Sequence, residues 1–144
     1  MKAQINNQRG TSAVEFAIVL PLLMVFVFGI IEFGLVFYNK AMVTNASREA
    51  ARAGIVYRDP PFTVAEIQSV VQDYCGDMLV TFGSSPGAVT TVPSGECANH
   101  GDELVVHVAY QYEFLLIPDF LTAFFTGGMP GSIDISAVTR MRCE

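Results

Sequence analysis

The chain has 144 residues, of which 51% are hydrophobic, and it carries a formal net charge of −6 at pH 7. This length allows one domain of about 100 residues together with one long apolar helix, and it excludes two sizeable soluble domains. The eight Lys and Arg residues are scattered along an acidic chain. They do not form the clustered basic surface that phosphate contacts require, so we predict no nucleic-acid partner.

An apolar run over residues 16–38 dominates the N-terminal part, and Glu32 is the only charged residue in it. A bilayer core of about 30 Å needs about 20 apolar residues of helix, so the run predicts a single membrane span. The preceding residues 1–10 contain Lys2 and Arg9 and no acidic residue. The positive-inside rule therefore predicts a cytoplasmic N-terminus and a C-terminal domain on the far side of the membrane.

Helical patterning continues beyond the apolar run. A stripe of small residues recurs at helical spacing, at Val43, Ala46, Ala50 and Ala53. We predict one continuous helix over residues 11–54, ended by Gly54 and the prolines that follow. The stripe would allow close packing on the chain's own sheet or on a neighbouring molecule. Thr63 followed by Glu66 is a capping-box pattern and predicts a second helix over residues 63–78.

The remainder of the chain predicts three strands. A short strand over residues 88–92 lies among loops rich in Gly, Ser, Pro and Thr. Residues 103–114 alternate between apolar and other side chains, and residues 132–142 alternate again after an apolar connector at 115–125. We predict that these last two strands pair antiparallel. The predicted fold class is α+β, in which a long N-terminal transmembrane helix continues into a domain where a second helix packs on a small antiparallel sheet.

All three cysteines follow the predicted span, which fits an oxidising compartment. We prefer a disulfide between Cys75 and Cys97, which would close a loop around the first strand and stabilise the fold by about 3 kcal/mol in the chain-entropy model. Cys143 lies at a terminus that we expect to fray, so it would be the free thiol. If the last two strands pair, a disulfide between Cys97 and Cys143 is a competing alternative.

No group of side chains predicts catalysis. His100, His107 and the cysteines lack the CxxC or HxxxH spacing of a zinc site, so we predict no metal and no cofactor. Ser84 and Ser85 lie outside any G-x-S-x-G pattern, and neither histidine has a triad context. We predict that the protein is not an enzyme.

The residues at the start of the span carry the most specific signal. A short basic leader ends at Gly10, and Glu15 and Phe16 are the fifth and sixth residues after it. This pattern resembles the type III signal of type IV prepilins and pseudopilins. The resemblance implies that a prepilin peptidase cuts between Gly10 and Thr11, and Gly10, which lacks a Cβ, allows the close extended approach that cleavage needs. It also implies that the Glu15 carboxylate meets the N-terminal amine of a neighbouring subunit, since a buried charge needs a partner.

Further blocks of sequence make the resemblance specific to one family. Three of them look like the N-terminal region of TadE-like proteins, at residues 21–23, 28–34 and 46–54, and residues 108–112 and 139–142 are similar more loosely. The family resemblance implies a pilin-like minor pseudopilin of a tight-adherence (Tad, or Flp) pilus that supports pilus assembly, adhesion and biofilm formation. The implied divisions are a cytoplasmic leader at 1–10, a transmembrane and assembly helix at 11–38 and a periplasmic domain at 39–144.

The resemblance also implies partners and a location. The partners are the prepilin peptidase, other Tad/Flp pilins and pseudopilins, the inner-membrane assembly platform and membrane lipid, and the location is the bacterial inner membrane, with incorporation into the pilus left open. Glu32 lies near the outer interface, where snorkelling lowers the cost of its charge. We predict that it serves packing or inter-subunit pairing, and we group it with Glu15 as an assembly residue.

Two other interpretations stay open. The chain could be an uncleaved, membrane-anchored binding or scaffold module of a secretion system. It could instead be a soluble domain released at the A-x-A pattern of residues 51–53, although the apolar run is longer than the ~7 to 15 residues of a typical signal-peptide core.

Overall fold

The computed structural model describes residues 8–76, 78–80, 88–91, 96–114 and 131–144. In chain order the elements are α1 (Gln8–Ile55), α2 (Val64–Cys75), β1 (Ala88–Thr91), β2 (Glu103–Glu113) and β3 (Ser132–Arg142). The predicted α+β class is confirmed. The predicted apolar connector at 115–125 lies outside the described residues.

Helix α1 has 48 residues, which makes it about 72 Å long at 1.5 Å per residue. Its two parts have different surroundings. Residues 10–31 are mostly exposed, whereas from Glu32 onward one side of the helix is buried against the sheet and α2. The packing therefore begins ahead of residue 39, where we predicted the start of the domain.

The small-residue stripe is the part of α1 that contacts the core. Val43, Ala46 and Ala50 have no exposed surface, and Ala53 is half-buried. Because alanine side chains are short, the helix can lie close to the sheet. Of the two packing partners predicted for the stripe, the structure shows the chain's own domain.

Helix α2 begins with the predicted capping box. The Glu66 backbone N–H donates to the Thr63 hydroxyl at 3.3 Å, and the Thr63 N–H donates to the Glu66 carboxylate at 2.8 Å. The buried side of the helix consists of Ile67, Val71 and Cys75. The helix ends at Cys75 rather than at residue 78, because the backbone of Gly76 leaves the helical conformation, with φ 6° and ψ −108°.

The three strands form one antiparallel sheet in the order β1-β2-β3. Strand β2 lies in the centre and pairs with β3 along its whole length, from Glu103 opposite Arg142 to Glu113 opposite Ser132. The predicted inner face of β2 is confirmed, since its alternating residues are all buried: Leu104, Val106, Val108, Tyr110 and Tyr112.

The two helices and the sheet meet at Gly54. A Cβ at this position would lie 2.6 Å from Cδ2 of Leu104 and 2.9 Å from Cδ1 of Ile67. Both of those side chains are buried. Glycine at position 54 therefore permits the contact between α1, α2 and β2.

The disulfide is the competing alternative, not the one we preferred. Cys97 is bonded to Cys143, with Cα atoms 5.8 Å apart, and Cys75 is a buried free cysteine. The prediction of Cys75 with Cys97 is wrong, because the C-terminus does not fray. The Cys143 N–H donates to the Asp102 carbonyl at 2.8 Å, which continues the β2–β3 pairing and brings Cys143 beside the loop that carries Cys97.

Candidate assembly site

The exposed part of α1 is an apolar surface on all sides. Large side chains around it are solvent-exposed to between 38% and 73% of their area, and the most exposed include Phe16, Ile18, Phe26 and Ile30. An 18-residue window of this helix has a mean hydropathy of 2.7, and none of it is buried. Residues 10–31 are about 33 Å long, which matches a bilayer core. Among the described residues, α1 is the one helix long and apolar enough to cross a membrane.

The residues of the predicted cleavage signal lie in the first turns of α1. Gly10, Thr11, Glu15 and Phe16 are all exposed. A Cβ added at Gly10 would meet no atom within 4 Å. Because α1 begins at Gln8, Gly10 is helical here rather than extended. Its neighbourhood therefore imposes no packing requirement for glycine.

Glu32 lies where the exposed part of α1 ends, and its side chain is engaged within the chain. It is only 2% exposed and accepts a hydrogen bond from the Tyr112 hydroxyl at 2.7 Å. Tyr112 is itself fully buried, and its ring meets Phe114 edge-on at 5.5 Å between centroids. Of the two roles predicted for Glu32, packing is the one observed.

Burial, reinforced by the hydrogen bond to Glu32, raises the pKa of Tyr112. The phenol therefore stays protonated and acts as the donor. A buried carboxylate is stable only with such donors. Sequence analysis did not predict that Tyr112 pairs with Glu32. The available signal was that a single acid within an apolar run and a tyrosine on the inner face of a strand both need a polar partner.

Comparison with known families bears on the same helix. The family model of TadE-like proteins matches residues 10–52. The N-terminal region of this chain is TadE-like. The match confirms the predicted resemblance and covers both the exposed part of α1 and most of its buried part. No curated protein and no solved structure matches the chain.

Two buried polar residues fasten the TadE-like region to the rest of the domain. The Asn39 amide donates to the Val80 carbonyl at 2.6 Å and accepts from the Val80 N–H at 3.0 Å. The Asn39 side chain thus satisfies both the N–H and the carbonyl of Val80, in the segment after α2. Further along, the Ser47 hydroxyl lies 2.8 Å from the Thr139 hydroxyl on β3. Neither contact was predicted, because the sequence alone does not show which buried polar residues face each other.

The TadE-like helix is also fastened at its far end. The Glu144 N–H donates to the Ile55 carbonyl at 3.3 Å, next to the Cys97–Cys143 disulfide. Glu32, Asn39, Ser47 and Ile55 therefore connect α1 to the domain at successive levels. From Glu32 onward, α1 and the domain form one unit, whereas the segment at 10–31 makes no such contacts and is open to lipid or to neighbouring molecules.

Within the described parts of the chain, no group of three or more His, Cys, Asp or Glu side chains could hold a metal ion. His107 lies in β2 opposite Val138, and His100 lies in the turn before β2. The structure does not bring these two histidines together with the free cysteine.

Proposed function

We propose that this protein is a minor pseudopilin of a Tad (Flp) pilus that a prepilin peptidase processes and that supports pilus assembly, adhesion and biofilm formation. The supporting observation is the exposed apolar segment of α1, which lies in the TadE-like region and begins with the Gly10, Glu15 and Phe16 signal. The protein acts by assembly, not by catalysis.

The proposed orientation follows from the basic leader on one side of the span and the disulfide on the other. Residues 1–10 are the cytoplasmic leader, 11–38 form the transmembrane and assembly helix, and 39–144 form the periplasmic domain. The basic leader stays in the cytoplasm, and the disulfide on the other side fits an oxidising periplasm. The protein therefore resides in the bacterial inner membrane before it joins or primes the pilus.

Processing requires a local change in α1. A protease binds its substrate in an extended form, whereas Gly10 and Thr11 are helical here. The first turn must therefore unwind, which costs little because helix ends fray and the terminal turn has unpaired backbone groups. Glycine lowers helix stability further, by up to about 1 kcal/mol relative to alanine.

After cleavage, Thr11 becomes the N-terminus and Glu15 the fifth residue. Glu15 is exposed, and no ion pair among the described residues includes it. In an apolar environment its carboxylate needs a positive partner. The α-amine of a neighbouring pilin or pseudopilin supplies one, while Glu32 remains bonded to Tyr112 within the subunit.

The test is the intact mass of the purified membrane form from cells with and without the cognate prepilin peptidase. We expect peptidase-dependent loss of residues 1–10 in the wild type and no loss in Gly10→Ala. The matched control is Gly29→Ala, where an added Cβ also meets no atom within 4 Å. This control should be cut normally, which would separate recognition of Gly10 from a general effect of alanine in α1.

Three outcomes can be distinguished. If the leader stays on in every sample, the pseudopilin proposal is overturned and an anchored periplasmic binding module takes its place. A species that starts after Ala53 and needs no detergent would show a released soluble domain instead. If Gly10→Ala and Gly29→Ala both block cleavage, Gly10 is not a specific recognition residue.

A further inference from the structure

An open cleft of about 460 Å³ lies beside the outer part of α1, far from the cleavage signal. It is lined by Asn45, Arg48, Glu49, Arg52, Tyr74 and Met141. The first four residues form one stripe of α1, Tyr74 comes from α2, and Met141 comes from β3. The stripe is exposed and faces away from the buried alanines of the same helix.

The cleft contains two arginines that form no ion pair with the described residues. The ion pairs within 4 Å among the described residues join Arg58 to Glu66 and Arg140 to Glu103. Arg48 and Arg52 take part in neither pair. Glu49 lines the same cleft, so the local formal charge is +1 in a chain whose net charge is −6. Each guanidinium has five N–H donors in a rigid fork that matches a carboxylate.

The spacing of the two arginines matches an extended peptide. Residues 48 and 52 are one turn apart, which is about 6 Å along the helix axis. In an extended segment, side chains on the same face recur every ~6.6 to 6.8 Å. Two acidic residues separated by one other residue would therefore each face one guanidinium. The half-buried Tyr74 and Met141 supply apolar surface for the residues between and beside them.

The position of the cleft favours a protein over lipid as the source of the negative charge. Arg48 is about 15 Å and Arg52 about 21 Å along the helix from residue 38, where the proposed membrane helix ends. The headgroup layer adds only about 5 to 8 Å beyond the bilayer core on each side. The backbone at both arginines therefore lies beyond the headgroup layer.

We propose that this cleft binds an extended acidic segment of a partner protein through two carboxylates in an acid-x-acid arrangement, one on Arg48 and one on Arg52. The inference does not depend on cleavage at Gly10. It places a second contact surface on the domain, on the outer side of the membrane in the orientation proposed above.

The test uses the full chain in lipid nanodiscs and a fluorescein-labelled peptide probe, Gly-Glu-Ser-Glu-Ser-Gly, measured by fluorescence anisotropy at low ionic strength. We expect binding to the wild type that weakens about tenfold or more in Arg48→Gln and in Arg52→Gln, since each substitution removes charge-assisted hydrogen bonds. The matched control is Arg140→Gln, which makes the same charge change on exposed β3. Its affinity should stay within twofold of the wild type.

A second probe keeps the charge and changes the spacing. Gly-Glu-Glu-Ser-Ser-Gly has the same composition but adjacent acids, whose side chains point to opposite faces of an extended segment. We expect it to bind at least about fivefold more weakly than the alternating probe. Far-UV circular dichroism of every variant must match the wild type.

Several results would overturn the proposal. Equal loss in Arg140→Gln, or equal binding of the two probes, would mean general charge attraction. No binding of the alternating probe, or displacement of that probe by equimolar inorganic phosphate, would also contradict it, the latter showing a site for small anions. Self-association that requires Arg48, measured by sedimentation, would assign the cleft to a second copy of this chain instead.

Discussion

Two tyrosines on the inner face of β2 show how much a single hydroxyl group matters at the residue scale. Tyr110 and Tyr112 are both buried and are two positions apart on the same strand. The Tyr112 hydroxyl donates to Glu32, whereas the Tyr110 hydroxyl has no hydrogen-bond partner in the described structure. Burying an unpaired hydroxyl costs free energy, while a hydrogen bond to a carboxylate stabilises.

We therefore predict opposite effects of one chemical change. Tyr112→Phe should lower the free energy of unfolding by about 1 to 3 kcal/mol, because it leaves a buried carboxylate short of a donor. Tyr110→Phe should be neutral or stabilising by up to about 1 kcal/mol. Urea unfolding of the detergent-solubilised chain measures both. Equal destabilisation by the two substitutions would show that the Glu32 contact contributes nothing particular.

Glu66 provides the clearest pH dependence. The Arg58 guanidinium, 2.6 Å away, and hydrogen bonds from Thr63 lower the pKa of Glu66 from 4.5 to about 2. Because the pKa of the folded state is the lower one, the stabilisation is present above about pH 4.5 and is lost as the pH falls to about 2. The carboxylate is exposed, so solvent and salt screen the effect.

The expected result is a melting temperature for Glu66→Gln below that of the wild type between pH 5 and 8, with a difference that disappears near pH 2. Thermal unfolding followed by circular dichroism across this range measures it. Glu103→Gln is the control, since its pair with Arg140 is longer, at 3.6 Å, and caps no helix. A gap between Glu66→Gln and the wild type that is unchanged at pH 2 would rule out ionisation as the cause.

At the scale of elements, α1 contains glycines with opposite packing requirements. Gly34 has open space where a Cβ would be, whereas a Cβ at Gly54 would overlap Leu104 and Ile67. Alanine favours a helix by up to about 1 kcal/mol over glycine. Inserting a methyl group into a full core costs typically 1 to 3 kcal/mol.

We expect Gly34→Ala to raise the free energy of unfolding by up to about 1 kcal/mol and Gly54→Ala to lower it by about 1 to 2 kcal/mol. Parallel urea titrations in the same detergent measure the pair. The close approach of α1, α2 and β2 would be disproved by a Gly54→Ala variant as stable as Gly34→Ala.

The elements themselves were predictable because their periodicities are strong. The alternation in β2 and β3 and the capping box of α2 gave the right types and nearly the right bounds. The sequence left two disulfides open, because the choice depends on the β2–β3 register: the pairing of Glu103 with Arg142 brings Cys143 to the loop of Cys97. The buried contacts of Glu32 and Asn39 depend likewise on tertiary placement. The Gly10, Glu15 and Phe16 signal could be recognised because it is local in sequence.

On the scale of the whole molecule, the domain has no readily reactive thiol among its cysteines. Cys97 and Cys143 are joined, Cys75 is 2% exposed, and burial raises the pKa of the Cys75 thiol. The thiolate is the reactive form of cysteine. The native cysteines of the folded chain should therefore react little with thiol reagents, which leaves a low background for labelling an introduced cysteine.

This background allows a direct test of orientation. Ser69→Cys, on the exposed side of α2, should react with a membrane-impermeant maleimide added outside intact spheroplasts. Val25→Cys, in the exposed apolar segment of α1, should stay unlabelled because lipid surrounds it. The unmodified chain should give no signal. Labelling of Ser69→Cys only after the membrane is broken would reverse the proposed topology.

The contact between Glu32 and Tyr112 also has a consequence for the order of events during synthesis. The two residues are 80 positions apart, and ribosomes add about 5 to 20 residues per second, so Tyr112 follows Glu32 by roughly 4 to 16 seconds. During that interval the nascent helix carries a carboxylate without its final donor, close to the hydrocarbon. In the proposed orientation, the contact that sets the depth of α1 in the bilayer forms only after β2 has crossed the membrane. In the proposed function, the position of α1 relative to the membrane is thus fixed late, by the folding of a strand that is made 80 positions after Glu32.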